Sequence, residues 1–211
     1  MMEEIDRLVD QNRPQLERTF AKKHGELIAA TEVFRQTLEN CKSRGWDVHA
    51  QLWNVGIYIN IAAHDLSVLV MQLHFERDLW TRKQIARHVA LAIYEITEDM
   101  TQLLGKKIRD PLETLGLLSK FDSELRRVRD PLDKFWKQHQ GKLKDVRTMT
   151  AAHRDLDGIS LLESIESINI VAFAQHGFEI GNILNDIGEV VQSVLNACSR
   201  ISPPEMKRAG N

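Results

Sequence analysis

An all-α fold, a multi-helix bundle with long antiparallel helices, is predicted by three observations. Apolar residues recur at i, i+3, i+4 and i+7 over long stretches. β-branched runs are short and scattered, and no Asn-Gly hairpin signal occurs. No internal repeat or low-complexity linker divides the chain. One helical domain over residues 1–201, followed by a flexible tail over 202–211, is the economical division.

The elements follow in order. From Pro14, the pattern Leu16, Phe20, Leu27, Val33/Phe34 and Leu38 forms an amphipathic helix stopped near Gly45. A second helix over about Val48–Glu76 carries Trp53, Ile57, Ile61, Leu66, Leu69 and Leu73, with Gly56 as its soft spot. A helix apolar over so much of its circumference belongs at the centre of the bundle. The third, about Thr81–Leu104, shows Ile85, Val89, Ile93 and Ile96, and Gly105-Lys106-Lys107 ends it with cations that suit the helix dipole. Asp110-Pro111 and Asp130-Pro131 mark breaks or helix starts. They bound a short helix over about Ser119–Arg129 and a further segment, Leu132 to about Asp155, with a bend expected at Gly141. A turn at Asp157-Gly158, a short helix near Leu161–Ser167 and a long one over about Asn169–Arg200, bent at His176-Gly177, complete the set.

Composition narrows the function classes. The sequence has 28 basic and 30 acidic residues and a net charge of −2, which advertises no nucleic-acid binding overall. Charge is nevertheless uneven. Arg126–Arg154 holds nine Lys/Arg against three Asp/Glu, whereas Asp155–Ser199 holds seven Asp/Glu and no Lys or Arg. Either the first segment presents a basic surface, or the two face each other and neutralise inside the fold. Cys41 and Cys198 lack metal-ligand spacing and read as free thiols of a reducing compartment. The acidic N-terminus does not read as a signal peptide. No apolar run approaches a bilayer span, so a cytoplasmic protein without a membrane partner is expected.

One stretch concentrates chemistry: KLKDVRTMTAAHRDLDG, Lys142–Gly158. Arg147 precedes His153 by six positions, beside the small Ala151-Ala152, with Lys142 and Lys144 upstream and Arg154-Asp155 after. Arginine followed four to six residues later by histidine also occurs at Arg18/His24, Arg44/His49 and Arg82/His88, so surroundings, not spacing, single out Arg147/His153. Six positions on a helix set two side chains about 120° apart. A kink, or two copies meeting across a dimer, would bring them together. A histidine titrating near neutrality can move the protons of RNA cleavage, and an arginine can fork onto phosphate oxygens. No metal or cofactor is expected: HxxxH, HExxH, CxxC, P-loop, GxGxxG and GxSxG patterns are all missing.

The segment VRTMTAAHRD resembles the R-x4–6-H motif of the HEPN superfamily (higher eukaryotes and prokaryotes nucleotide-binding). The resemblance covers roughly Lys142–Asp157 and the helical layout. It implies a helical bundle that dimerises so that two motifs form one metal-independent endoribonuclease site, as in toxin–antitoxin and antiphage systems. Arg147 and His153 match the catalytic pair. Lys142, Lys144, Thr148 and Arg154 would then bind substrate, with Thr148 where Asn or Asp usually follows the arginine. Asp155 stands where one toxin subgroup carries a tyrosine. The implied partners are RNA, a second copy of the chain, and an antitoxin or regulatory protein. The alternatives are a non-catalytic RNA- or nucleotide-binding module and a protein-interaction module.

Other residues read more plainly. Arg82/His88 and His64 lie on apolar helices and suit structural roles, Glu95, Glu98 and Asp99 a solvated face. Trp136, among basic residues, is the tryptophan placed to stack on a base.

Overall fold

The computed structural model describes residues 2–151 and 158–201. Within them the chain is an all-α bundle of seven helices: α1 (Met2–Ser43), α2 (Asp47–Phe75), α3 (Leu79–Gln102), α4 (Ile108–Thr114), α5 (Leu118–Ala151), α6 (Gly158–Glu166) and α7 (Ile170–Cys198). The expected tail, 202–211, lies outside the described residues, as does the expected turn at Asp157.

Central α2 buries Leu52, Trp53, Ile59, Leu66 and Leu73 against its neighbours. By length and composition it is apolar enough to cross a membrane, with mean hydropathy 1.3 over its best window, contrary to the expectation that no run came close. Its pairing with α1 is antiparallel: Phe34 meets Trp53 edge-on, and Phe20 meets Phe75 at the opposite end. Its pairing with α7 is antiparallel as well, and two glycines make it close. A Cβ on Gly56 would stand 2.9 Å from Leu195 Cδ1, and one on Gly177 would stand 2.5 Å from Val70 Cγ2. Gly177 therefore admits a neighbouring helix, and α7 runs through the expected bend at His176-Gly177.

Local chemistry ends most elements where the sequence suggests. Gly45 and Gly116 take positive φ (69° each), the left-handed conformation that closes helices at low steric cost. Trp46 N–H donates back to Cys41 O and Leu117 N–H to Leu112 O, capping α1 and α4. Asp78 and Asn169 accept from Thr81 N–H and Ala172 N–H, capping the N-termini of α3 and α7. After α3, Gly105 leaves helical geometry (φ −83°, ψ −126°) and a widened turn, Leu103–Lys107, redirects the chain into α4.

Two prolines do not break what they were expected to break. α1 begins at Met2, well before Pro14, and α5 passes through both Pro131 and Gly141. Pro14 and Pro131 are exposed, as are Asp10 and Arg127, whose carbonyls each proline deprives of a helical donor. A carbonyl facing solvent loses little when its helical donor is missing, so the helix continues. The first turns of α1 are also tied down from afar, because Asp6 pairs with Arg82 in the first turn of α3 and Asp10 with Arg77 just before that helix.

Candidate functional site

Helix α5 positions the basic segment. Phe121, Leu125, Val128, Leu132, Phe135, Leu143 and Val146 are its buried face, packed on α3 and α7. Periodicity then forces Lys142, Lys144, Arg147 and Thr148 outward, and all four are exposed. Lys142 and Lys144 are about 200° apart around the helix. Lys142 accordingly borders α7, while Lys144 shares the α3 side with Arg147, one turn away. The Arg147 guanidinium carbon lies 4.7 Å from the centroid of the Tyr94 ring, on α3. Tyr94 is itself buried and meets Trp136 edge-on at 5.2 Å. Trp136 thus supports a stack inside the protein and is only half exposed. His153 and Arg154 lie outside the described residues, so the six-residue pair is represented by its arginine.

Among the described residues, the basic segment is not neutralised by the acidic one. Among the described residues no ion pair joins α5 to α7, and Lys142, Lys144 and Arg147 have no carboxylate partner. α5 and α7 meet through apolar side chains instead.

A second cation stands behind this surface. Arg87, two turns before Tyr94 on the same face of α3, is 2 % exposed and bonds through Nη1 to Gln84 Oε1. Its Nη2 is buried without a hydrogen-bond partner among the described residues. Burial depresses its pKa, the mark of a cation short of compensation. Since α3 and α5 run antiparallel, Arg87 lies level with the last turns of α5. Nothing local singles it out in ARHVALAIYE, because its distinction is burial, not spacing.

Between α5 and the entry to α7 lies a cavity of about 300 Å³, lined by His139, Lys142, Asp145, Asn169, Phe173 and His176 among others. Beside it, donor atoms of His139, His176 and exposed Glu179 all lie within 4.8 Å of one another. The two imidazole rings are 4.2 Å apart. Burial, followed by the neighbouring His139 and Lys142, lowers the His176 pKa and favours the neutral ring. Motif inspection found no metal ligands here. Its one local trace is His176-x2-Glu179, a helical i, i+3 spacing, and the third donor arrives from a different helix.

The remaining Arg/His pairs come apart. Arg82 is buried on Asp6, whereas His88 is exposed and donates to Gln84 O. His49 is buried and donates to Ile201 O, while Arg44 covers Trp46. His24 bonds Ser67 Oγ at 3.1 Å and meets the His64 ring at 5.0 Å in a tilted contact. Of the acidic trio, Glu95 and Glu98 are exposed, and Asp99 accepts a short hydrogen bond from the Tyr58 hydroxyl, linking α3 to α2.

Compared with known protein families, curated proteins and solved structures, the chain matches none.

Proposed function

We propose that this protein is a HEPN-like, RNA-directed helical module whose site is the C-terminal half of α5. Arg147 holds the scissile phosphate, and His153 serves as general acid/base in a metal-independent cleavage. The observation that carries the reading is the state of Arg147. Its guanidinium is exposed, has no carboxylate partner among the described residues and is held in place by the Tyr94 ring. An arginine oriented this way loses little side-chain freedom when it takes a phosphate. The buried, under-compensated Arg87 adds positive potential at the same end of α5.

Lys144, Thr148 and Arg154 extend the phosphate contacts, and Lys142 adds a contact from the α7 side. A second copy of the chain completes the site by bringing its own Arg147/His153 pair to the same RNA. A cytoplasmic defence or toxin role, held in check by an antitoxin or other regulatory protein, follows from the same resemblance.

The test is cleavage of labelled single-stranded RNA in EDTA by the wild type, Arg147→Ala and His153→Ala. Products ending in 2′,3′-cyclic phosphate, lost in both variants, establish the proposal. Salt-dependent binding without cleavage, weakened in Arg147→Ala, makes the protein a non-catalytic RNA-binding module. No RNA binding at moderate salt overturns both readings.

A further inference from the structure

We infer that His139, His176 and Glu179 form a three-ligand site for a zinc-class divalent cation, bridging α5 and α7 and open on its fourth side to the cavity between them. The three ligands play no part in the RNA site, although Lys142 of that site lines the same cavity.

The argument starts from the helices. His176 and Glu179 are one turn apart on α7 and share a face, and His139 projects from antiparallel α5 toward that face. Side chains meeting from facing helices are the usual way a bundle builds a metal site. Two imidazoles and one carboxylate are the donor set of a catalytic-type zinc centre, in which three protein ligands leave a position for water or substrate. Nitrogen donors also disfavour magnesium and calcium, which take oxygen. Bound zinc requires metal–ligand distances of about 2.0–2.2 Å. The donor atoms, now up to 4.8 Å from one another, must draw in somewhat to surround such an ion, a movement exposed Glu179 is free to make.

The surroundings favour a ligand over a self-contained histidine pair. Neither imidazole hydrogen-bonds another protein group among the described residues, although both rings are half-buried. Phe135 lies 4.7 Å from the His139 ring and 5.5 Å from the His176 ring, so an apolar wall limits where those rings can turn. The ring nitrogens are therefore left to the shared space beside Glu179. Contact with the cavity, which both histidines line, gives the cation an entry path and room for an exogenous ligand.

The full-length protein, stripped with a chelator and desalted, would be titrated with Zn²⁺ by equilibrium dialysis and with Co²⁺ by visible absorption. The expected result is one saturable site per chain, with Co²⁺ bands displaced by Zn²⁺ and a melting temperature raised by Zn²⁺. His176→Ala and Glu179→Gln should each weaken binding by at least about tenfold, as loss of a first ligand must when even outer partners cost 10–100-fold. His24→Ala, at the separate His24/His64 contact, should leave binding unchanged and controls for adventitious histidine uptake. Glu179 is exposed, so its substitution tests the site without disturbing the core. Absence of saturable uptake by the wild type, or uptake that survives either substitution, overturns the proposal.

Discussion

The Arg147 guanidinium rests on the face of the Tyr94 ring, and Tyr94 in turn meets Trp136, so α3 and α5 share one stack running from the core to a surface cation. A cation over an aromatic face at an exposed site is worth about 0.5–1 kcal/mol. If the stack orients Arg147 for phosphate, Tyr94→Leu should weaken binding of single-stranded RNA about two- to fivefold, the equivalent of that energy. Tyr94→Phe should leave it unchanged, because the ring face is retained. Fluorescence anisotropy with a labelled oligonucleotide, read beside circular dichroism, checks both.

Asp6→Asn removes the partner of nearly buried Arg82. Breaking a fully buried pair costs about 3–5 kcal/mol. Asp6 keeps 24 % of its side-chain surface in water, so about 2–3 kcal/mol is expected at neutral pH, measured by urea unfolding. The hydrogen bond from Arg82 leads in lowering the Asp6 pKa below its ordinary value of 3.8. A lowered carboxylate stabilises fully above its unfolded-state pKa, and the contribution disappears as pH falls through the folded-state value. The difference between wild type and variant should therefore be constant above about pH 5 and shrink only below about pH 4.

Gly177→Ala should destabilise by about 1–3 kcal/mol, although alanine is the better helix former, because its methyl would fall 2.5 Å from the stiff Val70 side chain. Gly188→Ala, on the same helix with nothing within 4 Å of its Cβ, should stabilise by up to about 1 kcal/mol. Opposite signs in thermal melts are the outcome to look for.

Cys41 and Cys198 are free and buried, and burial, with Cys41 adding to it, pushes the Cys198 thiol up to about 11. At pH 8 the native protein should react with a thiol reagent only as fast as it opens, whereas denaturant should release both thiols at once. Immediate labelling without denaturant would contradict this burial.

What the sequence made legible was what depends on neighbours three or four residues away. The spans of α2, α3 and α7 and the stop at Gly45 follow from periodicity and local caps, whereas whether Lys142, Lys144 and Arg147 face outward was left open between two readings. Pro131 was misjudged because its effect turns on whether the Arg127 carbonyl faces water, which is a property of the assembled bundle. The start of α1 was missed because it is tied by carboxylates to arginines 67 and 76 residues distant. Of the candidate site, Arg147 was found by residue type. The unpaired burial of Arg87 and the meeting of His139 with His176 and Glu179 exist only once separate helices are brought together.

An uninterrupted α5 has a mechanical consequence. Its 34 residues form a strut about 50 Å long. Near one end Asp122 is gripped by Arg109 of α4, and toward the other Arg147 sits on Tyr94 of α3. It runs without a break through Pro131 and Gly141. One continuous helix therefore joins the ion pair at α4 to the arginine that lies on Tyr94.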